Sequence, residues 1–172
     1  ADVYARANEA AYRLMPVHYA AELGYLNVVR YLIDSYPNMT YAKNSWGQIP
    51  LHRAVTGGQL EIVKYFLEEK LVDSETRSDR YGRTALHEAS FGHLEVVKYL
   101  IDRGANAYSK DTTDFGSMPI HLAAEYGHTS VVRYLLHKYP SMKSSKNNDN
   151  ETPLDRTRCS TSNEESSPRM RA

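Results

Sequence analysis

From Leu26 the apolar residues Val28, Val29, Leu32 and Ile33 recur at helical spacing, while Asn27, Arg30 and Asp34 fall on the opposite side. That pattern predicts an amphipathic helix with one buried stripe. Before it, Pro16 opens and Gly24 closes a shorter apolar stretch, as expected of a helix with proline in its first turn and glycine beyond its end. The same pair recurs along the chain. The copies read MPVHYAAELGYLNVVRYLI (15–33), IPLHRAVTGGQLEIVKYFL (49–67), TALHEASFGHLEVVKYLI (84–101) and MPIHLAAEYGHTSVVRYLL (118–136), with His18, His52, His87 and His121 at intervals of 34, 35 and 34. So regular a period predicts stacked units, because one helix pair cannot bury its own stripe and needs a neighbour to cover it. Small residues at Ala20, Ala21, Ala54, Ala89, Ala123 and Ala124 let the paired helices come close.

Polar stretches rich in turn formers, such as 43–48 and 78–83, separate the pairs and predict hairpin-like turns, with Gly47, Gly82 and Gly116 supplying unusual backbone angles. The approach to His121 is longer than the equivalent spans, which predicts a bulged turn there. Only four residues stand between His87 and Gly92, where the other copies have five before the closing glycine. A deletion inside a helix rotates every later position by about 100°, so the loss is expected to be absorbed near Ser90 and Phe91.

The boxes around the four histidines, the glycine after each and the V-V-x-x-L-L block resemble ankyrin repeats, over nearly the whole chain to about Thr157. The resemblance implies an all-α repeat solenoid of helix-turn-helix pairs with β-hairpin-like fingers. It divides into one array over 1–157 and a polar tail over 158–172 that is expected to be disordered. Within the array, 1–14 reads as the tail of a preceding repeat, full repeats occupy about 15–47, 48–81, 82–116 and 117–147, and 148–157 is a half-repeat cap. The opening Ala1-Asp2-Val3-Tyr4-Ala5-Arg6 and the missing initiating methionine suggest a piece of a longer array.

Lysine plus arginine and aspartate plus glutamate number 21 each, so no global field selects nucleic acid or an anionic membrane. The single cysteine, Cys159, has no partner in the chain, which suits an intracellular protein, cytoplasmic or nuclear. No stretch approaches eighteen apolar residues and none resembles a signal peptide, so membrane insertion is not expected, and the chain reads as a monomer. A shared metal on the histidines fails on distance, since neighbouring helices pack about 8–10 Å apart and zinc ligands reach to about 2 Å. Each imidazole is expected to bond to nearby backbone instead. The lone cysteine has no ordered base beside it and no phosphate-cradling loop occurs, so no active site, metal or cofactor is expected.

Tyr31, Tyr65, Tyr99 and Tyr134 share one outer-helix slot, and their rings are expected to cover the stripe with hydroxyls reaching water. A second aromatic series, Tyr12, Trp46, Tyr81 and Phe115, sits just before the turn glycine or its counterpart at spacings of 34, 35 and 34. In register these rings form a column along one edge of the stack. Two readings stand: anchors for a partner, or packing for the neighbouring finger. Leu23, Phe91 and Tyr126 at inner-helix ends join the same concave face on the strength of the resemblance, with Lys43, Ser45, Gln48, Arg80, Arg83, Asp114 and Ser117 as a polar rim. The expected function is a non-enzymatic protein-recognition module or scaffold that binds another protein through this face. The alternative is a regulatory segment docking within a larger enzyme or channel.

Overall fold

The computed structural model describes residues 14–78 and 80–162, with side chains as far as Thr157. The described residues form an all-helical solenoid. Inner helices α1 (Pro16–Leu23), α3 (Pro50–Thr56), α5 (Ala85–Ala89), α7 (Pro119–Glu125) and α9 (Pro153–Ser162) alternate with outer helices α2 (Leu26–Ser35), α4 (Leu60–Lys64), α6 (Leu94–Asp102) and α8 (Thr129–Lys138). Helix α9 runs beyond Thr157, where the tail was expected to begin. Each inner helix packs on the next inner helix more intimately than each outer helix does on the next outer. The stack therefore curves, with the inner helices and fingers on its concave side.

One continuous core threads the array. Val17, Leu51, Leu86 and Ile120 from the inner helices meet Val29, Val63, Val97, Leu100, Val131 and Leu135 from the outer ones, all essentially shut from solvent. Alanine keeps the layers close, and the added Cβ that Gly57 lacks would fall on the backbone carbonyl of Glu22. Four fingers project between the pairs, each closed by a backbone bond: Asn44 to Gln48, Ser78 to Arg83, Asp111 to Ser117 and Asn147 to Glu151. The third finger is the longest, as the sequence spacing predicts. Neighbouring fingers are pinned by single rungs in which Arg80, Thr112 and Asn148 N–H groups donate to the carbonyls of Trp46, Tyr81 and Phe115.

Changes in repeat length are absorbed at the C-terminal ends of helices, while the core stays continuous. In three repeats the carbonyl of Ala20, Ala54 or Ala123 accepts from the fifth residue on; in the shortened repeat, Ala89 accepts from His93, the fourth. The deletion thus lies at 90–92, as expected. An insertion in the second outer helix has no counterpart in the sequence punctuation: α4 continues as a π-helical turn over Tyr65–Glu69, a common way to house one extra residue. Leu71, at φ 53, then stands where the next repeat has Gly104 at φ 88. In that turn Tyr65 departs from the expectation for its slot. Its ring is buried, with the Arg30 guanidinium 4.6 Å and the Lys70 ammonium 5.3 Å from its centre, whereas Tyr31 is exposed.

Two substitutions with opposite signs check this packing. Gly57→Ala drives a methyl into the Glu22 backbone and lowers stability by about 1–3 kcal/mol. Leu71→Gly relieves a left-handed conformation at an exposed leucine and raises stability by about 1 kcal/mol. Urea denaturation of both variants reads the signs, and a neutral Gly57→Ala would mean that the repeats are not so closely seated.

Candidate functional site

The histidines hold the fingers in place. In the first four inner helices the ring Nδ1 accepts from the backbone N–H three residues earlier: Met15 for His18, Ile49 for His52, Thr84 for His87 and Met118 for His121. The ring Nε2 then faces a carbonyl of the finger beyond, at 3.0–3.1 Å: Ala42 and Gln48, Thr76, Ser117, and Glu151 respectively. An N–H can only donate and a carbonyl can only accept, so the imidazole must be neutral with its proton on Nε2. The third copy lacks the proline, and there the Thr84 hydroxyl also meets His87 Nδ1, at 2.8 Å. In the fifth copy Asp155 takes over the N-terminal half of the role, accepting from the N–H and hydroxyl of Thr152.

Three of the four finger tips carry an aromatic followed by glycine in the left-handed region, φ 70 at Gly47, 57 at Gly82 and 52 at Gly116, and the fourth has Asp149 followed by Asn150, φ 62. Behind it, one polar side chain organises the turn. Asn44 Oδ1 accepts from the N–H groups of Trp46 and Gln48, Asp111 Oδ1 from Thr113 and Ser117, and Asn147 Oδ1 from Asp149 and Glu151. Such side-chain-to-backbone turns set where the rings stand. Trp46 is half-buried, Tyr81 is 36% exposed and Phe115 46%. Tyr12 lies outside the described residues.

Two adjoining hollows on the concave side collect most of the other expected residues. One, of about 360 Å³, is lined by Trp46, Gln48, Arg53, Arg80, Tyr81, Arg83 and Glu88. The second, of about 400 Å³, shares Arg80, Tyr81 and Arg83 and adds Asp111, Asp114, Phe115, Leu122, Glu125 and Tyr126. Together they form a groove of a size that ligands occupy. Phe91 meets Tyr126 edge-on, ring centres 5.0 Å apart. Leu23 is exposed at the end of α1 and lines neither hollow.

The rim needs correction at two positions. Gln48 is only 8% exposed: its carbonyl accepts from His18 and its side-chain oxygen accepts from Asn44 Nδ2, so it belongs to the floor. Ser117 is buried likewise, held through its N–H by Asp111 and through its carbonyl by His87. Lys43, Ser45, Arg80 and Asp114 are exposed and Arg83 half-buried.

Sequence reasoning missed the ionic half of the groove. Guanidiniums lie over the rings: Arg53 over Trp46 at 6.0 Å, Arg80 and Arg83 over Tyr81 at 5.2 and 4.9 Å, Arg83 also over Phe91 at 5.1 Å, and Arg156 over Phe115 at 4.9 Å. Arg53 pairs with Glu22 of the preceding repeat, Arg156 with Glu125 at 2.5 Å, and Arg83 stands 3.8 Å from the buried Asp111 carboxylate. Burial raises the carboxyl pKa of Glu88 against the opposing pull of Arg83, Gln48 and Arg53. The missed signal was the slot after each histidine, which reads Tyr19, Arg53, Glu88, Leu122 and, after Asp155, Arg156. It varies inside an otherwise constant frame.

Family models for ankyrin repeats match the chain twice, one described as three copies over residues 17–111 and one as many copies over 110–156. No curated protein matches it. Among the described residues no group of three or more His, Cys, Asp or Glu side chains is arranged to hold a metal ion, and no helix is long and apolar enough to cross a membrane.

The imidazole bridges set a pH dependence. Burial lowers the pKa of His18 and of His87 to about 4, and that of His121 in the same direction. The unfolded chain protonates these rings near 6.5, so unfolding takes up protons between these values. Stability is full above about pH 6.5 and drains away toward pH 4, by roughly 3 kcal/mol for each of His18 and His87. Urea midpoints at about pH 7 and about pH 4.5 should differ accordingly, and equal midpoints would show that the bridges tolerate a charged ring.

Proposed function

Because the chain belongs to the ankyrin-repeat family, whose arrays are generally protein–protein interaction modules and typically non-enzymatic, we propose that it binds a partner protein through its concave face. Trp46, Tyr81, Phe115, Phe91 and Tyr126 serve as the anchors, and Arg80, Arg83 and Asp114 set the register. The observation that carries the reading is the shared groove, in which the finger-tip rings Trp46, Tyr81 and Phe115 and the end of α7 at Tyr126 line adjoining hollows, with Phe91 packed on Tyr126 beside them. Aromatic rings and arginines are the residue types that dominate binding energy at interfaces. Here both are already positioned, the rings by glycine and Asx turns and the guanidiniums by stacking on the rings. A surface ordered before the partner arrives loses little entropy on binding.

The core supplies the rigidity and has no part in recognition. Replacing Trp46 and Tyr81 together by alanine should therefore weaken partner binding by about thirtyfold or more, with the helical signal and thermal midpoint nearly unchanged. The partner is first captured from the source cell with the full chain and then titrated by calorimetry. Unchanged affinity in a folded double variant would remove the concave face from the interface.

A further inference from the structure

The groove is divided by charge. Its first hollow sets Arg53, Arg80 and Arg83 against a single carboxyl, Glu88, while its second adds Asp111, Asp114 and Glu125 beside Phe115, Leu122 and Tyr126. The three arginines are not equivalent. Arg53 is committed to Glu22, and Arg83 faces Asp111. Arg80 is exposed and has no carboxylate partner among the described residues. Arg80 and Arg83 lie 5.2 and 4.9 Å from the centre of the same Tyr81 ring, so their guanidiniums are about 10 Å apart at most. Both line the first hollow, where the one carboxyl in the lining is the buried Glu88, so an acidic group entering it meets a surplus of arginine.

We propose that the first hollow is a carboxylate-reading subsite: an extended segment of the partner places an aspartate or glutamate against Arg80 and Arg83, and an apolar side chain on Phe115, Leu122 and Tyr126. This rests on the concave-face reading above and names the partner chemistry that fits it. Guanidinium edges match a carboxylate in two parallel hydrogen bonds, and rings stacked beneath them keep the fork oriented. The second hollow is the wrong place for the acid, because its own carboxylates outnumber its arginines. Successive repeats stand about 10 Å apart and an extended chain advances about 3.3 Å per residue. The acidic and apolar positions of the partner are therefore about three residues apart.

The test uses random peptides of about twelve residues, long enough to span the groove, selected on the full chain at about 0.15 M salt. Trp46 is the only tryptophan in the chain and lines the subsite, so its fluorescence reports occupancy. Selected peptides should carry Asp or Glu about three residues from Leu, Phe, Met or Trp, and exchanging the acid for its amide should weaken binding about tenfold. Arg80→Glu should invert the preference toward Lys and Arg. Peptides without acidic bias, or peptides bound equally well by Arg80→Gln and Arg80→Glu, overturn the subsite. If those peptides are nevertheless lost on Tyr81→Ala, the concave-face reading stands alone. If Tyr81→Ala also leaves them bound, or if Trp46 emission stays unmoved at saturation, both ideas fall.

Discussion

The structure depends on one interaction repeated four times: a neutral imidazole that takes a proton bond from its own helix and gives one to the finger beyond. Without it the first turn of each inner helix would leave a buried backbone donor unpaired, and the next finger would leave a buried carbonyl unpaired. Each such lapse costs about 1–3 kcal/mol. The ring meets both needs because its two nitrogens point in opposite directions, one accepting and one donating. A carboxylate can only accept when ionised, and Asp155 accordingly reproduces the inward half of the arrangement, toward the Thr152 N–H and hydroxyl. Metal chemistry would demand the same nitrogens, which the backbone already occupies.

The bridge also explains how repeats of unequal composition keep an even beat. From the second histidine to the third, an extra outer-helix residue is taken up by the π-helical turn; in the third repeat, a missing inner-helix residue is offset by the long third finger. Histidine and finger must meet at 3.0–3.1 Å every time, so slack gathers in the segments between. The finger tips, as the ends of those segments, tolerate variation without disturbing the core. Recognition placed there can change while the scaffold stays as it is.

The architecture was legible because its signals are redundant: proline, histidine, alanine, glycine and the apolar stripe repeat in phase, so a loss such as the proline replaced at Ala85 leaves the pattern readable. The extra residue in the second outer helix was hidden because Leu71 holds a conformation that ordinarily announces itself as glycine. Gln48 and Ser117 read as rim because polarity suggested solvent, whereas both are drawn inward by backbone bonds to histidine. The arginine layer escaped for a different reason. Whether Arg53 or Arg156 is solvated depends on a glutamate in the preceding repeat, Glu22 or Glu125, and a helical pattern within one repeat carries no information about that pairing.

The same pairings decide where the concave face is open. Glu22 closes on Arg53 toward one end and Glu125 on Arg156 toward the other, each joining consecutive inner helices and removing a charge of either sign from the surface. Such part-buried pairs add modestly to stability, yet they subtract exposed cations where the face would otherwise present them. Between them the shortened α5 carries the buried Glu88 in place of another ion pair, the turn after it carries Phe91, and the lengthened third finger carries the exposed Phe115. The two irregular features of the third repeat thus coincide with the stretch where charge and rings remain accessible. On the proposed recognition role, a groove with a surplus of arginine on one side and carboxylate on the other would favour a ligand whose own charges run the opposite way, because charge complementarity fixes register.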